Sequence, residues 1–272
     1  MDEQVATNAA ERRRWNDEYW TSVWPKREQL TSAVTDTLLA HLELAAGERV
    51  LEIGSGGGTA TIAAGHLVGA GTVVGADISA PLVEFARSRV ATAGADNVSF
   101  LVADVQQDDI PGAPFDAALS QFGVMFFDDP AVAFGNIRRQ LVPGGRLAFA
   151  CWQAPERNPW FVGPILAEYL PPPPPVAPGK SATGPFSLQD PDRVRAILDS
   201  AGWHGIERAA YDVVVSVDRE AIVDDPQLAF LGVPDAAFEQ ARRSVDEHLD
   251  RLRGEGGRLD APLSFQVFTG TA

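Results

Sequence analysis

The 272-residue chain has a single cysteine, Cys151, and its 22 basic residues are well outnumbered by 37 acidic ones. One cysteine excludes an intrachain disulfide framework and a thiolate-rich metal site. The formal charge of −15 at pH 7 repels phosphate backbones and anionic lipid, so neither nucleic acid nor a membrane surface is an expected partner. No apolar run approaches the roughly 20 residues of a membrane-spanning helix. The opening Met1-Asp2-Glu3 is acidic and unlike a secretory leader, which gives a cytoplasmic expectation. What is present is ordinary for a globular protein: 45% hydrophobic and 22% charged residues, enough to bury a core without staples.

The organisation follows from periodicity. Trp15, Tyr19, Val23 and Trp24 recur at helical spacing until Pro25, which predicts a break and then a second helix over 30–44. From there short apolar runs alternate with helical patterns. Strands are predicted at 49–53, 72–77, 98–102, 115–120 and 146–151. Helices are predicted at 59–68, 80–93 and 130–141, the last with Asp129 as its cap and Pro130 at its first position. Pro143, Gly144 and Gly145 read as a tight turn before the fifth strand. Late strands at 211–217 and 263–269, a helix at 191–201 and a charged helix at 235–253 complete the reading. Five consecutive prolines at 171–175 form a stiff extended segment. The expectation is an α/β protein with a Rossmann-like, doubly wound and mostly parallel seven-stranded sheet. Residues 1–44 form an N-terminal helical cap and 45–152 the core. Residues 153–272 supply an inserted lid segment and the strands that complete the sheet.

The strongest chemical signal is Val50-Leu-Glu-Ile-Gly-Ser-Gly-Gly-Gly-Thr59. A buried strand ends in glycines and a helix begins, so exposed amides and a helix dipole face whatever binds there. A dinucleotide fingerprint wants glycine where Thr59 stands. The spacing present, Glu52-x-Gly54-x-Gly56-x-Gly58, resembles motif I of class I S-adenosylmethionine (SAM)-dependent methyltransferases. Glu52 suits a cationic amine and sulfonium better than a pyrophosphate. Asp77 ends the second strand, where either cofactor class places a ribose-binding carboxylate. Asp104 follows the third strand, where the resemblance implies a contact to the adenine amino group. The stretch from Phe115 to Pro130 and the turn Leu141-Val-Pro-Gly-Gly-Arg-Leu147 resemble the family's later motifs. The cofactor-binding set so implied is Glu52, Gly54, Ser55, Gly56, Gly58, Asp77, Ile78, Asp104, Val105 and Gln121, with S-adenosylhomocysteine (SAH) as the spent cofactor.

Several positions carry two readings. Glu52 is a cofactor ligand or an exposed strand-end acid; Asp77 a ribose ligand or a turn residue; Asp104 an adenine ligand or the start of a solvated loop. Gln121 holds the methionine end or lies at the surface. Trp20, Trp24, Phe122, Met125, Phe126 and Trp160 line an acceptor cavity or pack the core. No metal site is expected, since Asp108-Asp109 and Asp128-Asp129 lack converging ligands. Among the histidines, His41, His66 and His248 are read as structural, and His204, in a helix-to-strand turn, is the one candidate base. The resemblance implies methyl transfer to a small-molecule acceptor, with an oxygen of a secondary metabolite as the expected nucleophile. The alternatives are an NAD(P)-dependent oxidoreductase and a SAM-fold protein that binds the cofactor without transferring methyl. The chain is expected to act as a monomer or homodimer.

Overall fold

In the computed structural model, which describes residues 8–171 and 183–272, the chain opens on two helices, α1 (Ala9–Trp15) and α2 (Tyr19–Leu42). Pro25 lies inside α2 and does not break it. The hydroxyls of Thr21 and Ser22 turn back onto the carbonyls of Glu18 and Tyr19 (2.9 and 2.7 Å) and close the opening turn. Buried Trp20 and Val23 before the proline, and Leu30 and Val34 after it, fix the helix on both sides. Packing here overrides the local penalty of an internal proline.

Five strands then run parallel: β1 (Arg49–Ile53), β2 (Thr72–Asp77), β3 (Val98–Val102), β4 (Phe115–Gln121) and β5 (Leu141–Trp152). Between them lie α3 (Thr59–Val68), α4 (Ala80–Ala93) and α5 (Pro130–Arg139). Asp129 caps α5 by accepting from the Val132 amide at 3.1 Å, and Ser79 caps α4 through Leu82. The turn foreseen at 143–145 is an irregularity within β5, whose register against β4 shifts between Phe115 and Ala117.

After β5 come α6 (Gly163–Leu166), α7 (Pro191–Ser200) and β6 (His204–Val217). Then follow α8 (Arg219–Ile222), α9 (Asp225–Phe230), α10 (Phe238–Leu249) and β7 (Leu259–Thr271). Both late strands are longer than their sequence pattern. The N-terminal half of β6 contains Gly205 and Glu207, poor strand formers, and its pairing with β7, irregular between His204 and Glu207 and regular from there on, decides its conformation. The charged helix is shorter than 235–253, because Asp235–Ala237 and Asp250–Leu252 are 3₁₀ turns at its ends. Four of the five prolines at 171–175 fall outside the described residues.

The sheet order is β3-β2-β1-β4-β5-β7-β6, with β7 antiparallel to both neighbours. The expected doubly wound, seven-stranded architecture is therefore present. Both faces of the inner parallel strands are covered, which explains their near-continuous apolar sequences, whereas edge strand β3 exposes Ser99 and Val102. Phe134, Phe149 and Phe268 stack through the core at centroid spacings of 5.1 and 5.5 Å. Each buries a side chain worth about 1.5–3 kcal/mol. A separate cluster of Trp20, Val23 and Leu82, bordered by Trp15, Tyr19, Trp24 and Phe230, fastens the N-terminal helices over α4 and α9. The strand order reverses between β1 and β4, so their carboxyl ends open the crevice where doubly wound sheets bind ligands.

Candidate functional site

At that crevice two glycines stand back to back. A Cβ on Gly54 would lie 2.7 Å from the Cα of Gly123, and one on Gly123 would lie 2.6 Å from the carbonyl oxygen of Ile53. Only a residue pair without side chains lets the ends of β1 and β4 approach this closely. Gly54 and Ser55 donate their amides to the Ala76 carbonyl (2.8 and 3.1 Å), which ties the loop to β2. Gly56 donates to Asp77 Oδ2 at 2.7 Å. A side chain at Gly56 or Gly57 would strike the ring of Trp24, and one at Gly58 would meet Phe100 at 2.6 Å. Helix α2 lies across this loop. Glu28 accepts from Trp24 Nε1 (3.0 Å), Arg89 (2.6 Å) and the Thr59 hydroxyl. An acid over the start of α3 occupies the place where a dinucleotide's pyrophosphate would need bare amides.

Three carboxylates surround the loop. Glu52 is 2% exposed, and the Thr61 hydroxyl donates to it. Burial, reinforced by the neighbouring charge of Asp77, pushes its carboxyl up to about 8. The exposed strand-end reading of Glu52 is thereby excluded. Asp77 is raised by burial and restrained by amide donors: Ser79 gives to Oδ1 at 2.8 Å and Gly56 to Oδ2. A carboxylate has about four lone-pair sites, so acceptor capacity remains for two hydroxyls. Asp104 is buried rather than solvated; its Oδ1 accepts from Asn8 Nδ2 at 2.7 Å and the Gln106 amide at 3.2 Å. Burial raises its carboxyl as well. Asp104 Oδ2 is buried without a hydrogen-bond partner among the described residues, although Arg12 approaches to 3.8 Å. Such an orphan acceptor is costly unless a donor arrives, and an exocyclic amino group would satisfy it.

These groups frame two adjoining cavities. The first, about 150 Å³, is lined by Gly54, Asp77, Ile78, Asp104, Val105 and Gln121, among others. The second, about 370 Å³, takes in Glu52 and Ser55 together with all six aromatic and methionine positions singled out above: Trp20, Trp24, Phe122, Met125, Phe126 and Trp160. Trp15, Trp24, Gly54, Gln121, Phe122 and Phe126 border both. Phe122 holds φ +66°, a strained conformation for a bulky side chain. Its ring stacks on Trp152 at 4.0 Å, and its amide donates to the Ala150 carbonyl at 3.1 Å.

Some sequence candidates are placed differently. Gln121 is neither a surface residue nor free: its oxygen accepts from Thr35 Oγ1 at 2.8 Å, and its amide donates to the Thr31 carbonyl at 3.1 Å. It ties the end of β4 to α2. His204 is exposed and begins β6 opposite Thr271, which pairs with Arg146 at the start of the regular part of β5. The cavities lie at the other end of that strand, beside Trp152. His204 is therefore remote from the chemistry, and the candidate base is withdrawn. His41 bonds the Tyr211 hydroxyl at 2.6 Å and His248 the Pro159 carbonyl at 2.7 Å. Gly56 and Gly58 border neither cavity; their missing side chains admit Trp24 and Phe100. Sequence reasoning missed Asn8, Arg14, Glu28 and Gly123. Only Glu28 carried a usable signal, the four-residue spacing from Trp24 on one helical face.

Residues 50–145 match the family model for a methyltransferase domain. The chain is 33% identical over 135 residues to aklanonic acid methyltransferase DauC of Streptomyces sp. (strain C5), covering 46% of this chain and 61% of that protein. It is 34% identical over 165 residues to a ubiquinone/menaquinone biosynthesis C-methyltransferase UbiE of Marinomonas sp. (strain MWYL1), covering 58% of this chain and 61% of that protein. The chain thus spans about three fifths of these curated relatives. The YcgJ protein of Bacillus subtilis has the same fold, with a TM-score of 0.60 at 18% identity over 88% of this chain and 98% of that one. The matched segment contains the glycine loop, Asp77, Asp104 and the β4 end that build the crevice. The strand order and the buried carboxylates agree with that match: residues 50–145 are similar to a methyltransferase domain and take the class I SAM-dependent methyltransferase-like fold.

Proposed function

We propose that the protein transfers a methyl group from SAM to an oxygen nucleophile on a small, flat organic acceptor of the secondary-metabolite kind. The observation that carries this reading is the sharing of one wall by two cavities. A cleft bordered by Asp77 and Asp104 shares Gly54 and Phe122 with a larger chamber walled by tryptophan and phenylalanine. The relatives' names, an aklanonic acid methyltransferase and a ubiquinone/menaquinone biosynthesis C-methyltransferase, support a small organic acceptor.

The residues present fit the cofactor. Asp77 keeps acceptor capacity for ribose hydroxyls, the orphan Oδ2 of Asp104 awaits an amino donor, and Glu52 would balance the cationic end. When bound, SAM supplies a sulfonium-activated methyl. The chain's own residues then bind, align and exclude water. Trp15 and Trp24 close the shared wall, and Phe122, locked against Trp152, fixes the border along which an acceptor would slide. Holding two reactants in line in a dry pocket removes much of the entropic barrier. Among the described residues the chamber wall carries no histidine, and this reading commits its two carboxylates elsewhere: Glu52 to the cofactor's cationic end, and Glu28 to Trp24, Thr59 and Arg89. The acceptor must therefore ionise readily by itself, as an acidic phenol, enol or carboxylic acid does.

Incubation with methyl-labelled SAM and a panel of hydroxylated aromatic acceptors tests this. Label in a product, with an equal amount of SAH, is the expected result. Tight SAH binding with no transfer to any oxygen, nitrogen or carbon acceptor would instead favour cofactor binding without methyl transfer.

A further inference from the structure

The larger chamber is a cationic spot in a strongly acidic protein. Two guanidinium groups, Arg14 and Arg27, border it with two acids, Glu28 and Glu52. The acids do not neutralise the cations. Glu28 is paired with Arg89 at 2.6 Å. Glu52 is buried on Thr61, and burial favours its uncharged form. Arg27 is consumed locally: it donates to the carbonyls of Ala221 (3.1 Å) and Ile222 and to Gln227, which binds α2 to α8 and α9.

Arg14 is different. Its guanidinium lies 5.6 Å from the ring centre of Trp15 and 5.9 Å from that of Phe126. Its side chain has no hydrogen bond or ion pair with any described residue. The aromatic faces hold the cation without using its five N–H donors. An arginine so placed at the wall of an apolar chamber is ready to accept a planar anion in a forked arrangement.

We propose that Arg14 is a specificity-determining residue that binds an anionic oxygen group, a carboxylate or an ionised enol or phenol, on a flat conjugated acceptor. The proposal rests on reading the larger chamber as the acceptor site. The rings of Trp15 and Phe126 cover the acceptor's conjugated plane, and Arg14 sets which edge points inward. Neutral molecules of the same shape lose this contact and enter less well.

Calorimetric titration with paired probes tests it, with and without saturating SAH. The pairs are 2-naphthoate against 2-naphthamide, and 2-hydroxy-1,4-naphthoquinone, ionised at neutral pH, against its 2-methoxy ether. At least one anion is expected to bind about tenfold more tightly than its neutral partner, the scale of one charge-assisted contact. The pair that shows the preference identifies carboxylate or enolate as the group bound. Arg14→Gln should erase the preference while SAH affinity stays unchanged. Equal binding within both pairs in the wild-type protein, or a preference that survives R14Q, overturns the proposal. Failure of SAH itself to bind would contradict the cofactor reading separately, because the titrations without SAH still judge Arg14.

Discussion

The two cavities are built by different means. On the cofactor side, short segments at the ends of β1, β2 and β3 set the polar geometry: Gly54 and Gly56 are hydrogen-bonded to Ala76 and Asp77, and Asp104 lies just past β3. The larger chamber, proposed above as the acceptor side, is assembled from distant pieces, with Trp20 and Trp24 from α2, Phe122 to Phe126 after β4, Trp160 before α6 and Leu231 after α9. Backbone geometry can be specified by a short motif. An aromatic wall can be specified only by a tertiary arrangement, so its chemistry is free to vary while the cofactor cleft stays the same.

Four variants sharpen this contrast, and the largest effect belongs to the backbone side. Gly54→Val places a branched side chain against the backbone of Gly123 at a position with φ +67°, where no flexible neighbour can yield. SAM binding should be lost and the protein destabilised by about 3 kcal/mol or more, read by calorimetry and thermal unfolding. Normal affinity would mean that the two strand ends separate freely. Asp77→Asn keeps the shape but weakens both amide contacts and the capacity for hydroxyls, so SAM affinity should fall by about 1–3 kcal/mol. An unchanged dissociation constant would remove Asp77 from the site.

Next comes pH. Burial raises the Glu52 carboxyl from 4.5 to about 8, so between those values the folded protein keeps a proton that the unfolded chain has released. By linkage, this group makes the free protein less stable as pH rises through that window. A cationic cofactor prefers the ionised carboxylate, so SAM affinity should climb toward pH 8 by up to about tenfold per pH unit. Glu52→Gln should flatten the profile, and an unchanged slope in E52Q would assign the proton elsewhere. The smallest effect lies across the shared wall. Trp160 meets Trp152 edge-on at 5.0 Å, and Trp160→Leu should raise the acceptor KM by an amount equivalent to about 0.5–1.5 kcal/mol. SAM affinity should be untouched; a parallel loss of SAM binding would erase the distinction between the two sides.

The same contrast explains what could be read from the sequence. Helices α3 and α4 were legible from Thr59 to Val68 and from Ala80 to Ala93, because glycines end them and their strands are short apolar runs. The continuity of α2 across Pro25 was not, since only buried neighbours on both sides overrule the proline. Glu52, Asp77 and Asp104 announce themselves at strand ends, but that Asp104 is held by Asn8 depends on a contact 96 residues away in sequence. His204 looked like a base because a turn beside a strand is locally unremarkable; only the ladder with Thr271 reveals that it lies at the wrong end of the sheet. Arg14 was invisible for the opposite reason, as one of three successive arginines, Arg12 to Arg14, of which only the fold separates the one over Trp15 and Phe126.

The central claim is that the crevice between β1 and β4 is shaped for SAM and not for a dinucleotide. Calorimetric titration of the purified protein with SAH and with NAD tests this most directly. The account predicts saturable binding of SAH at one site per chain, weakened in D77N and lost in G54V, and no heat of binding from NAD. Saturable NAD binding with no response to SAH would contradict it.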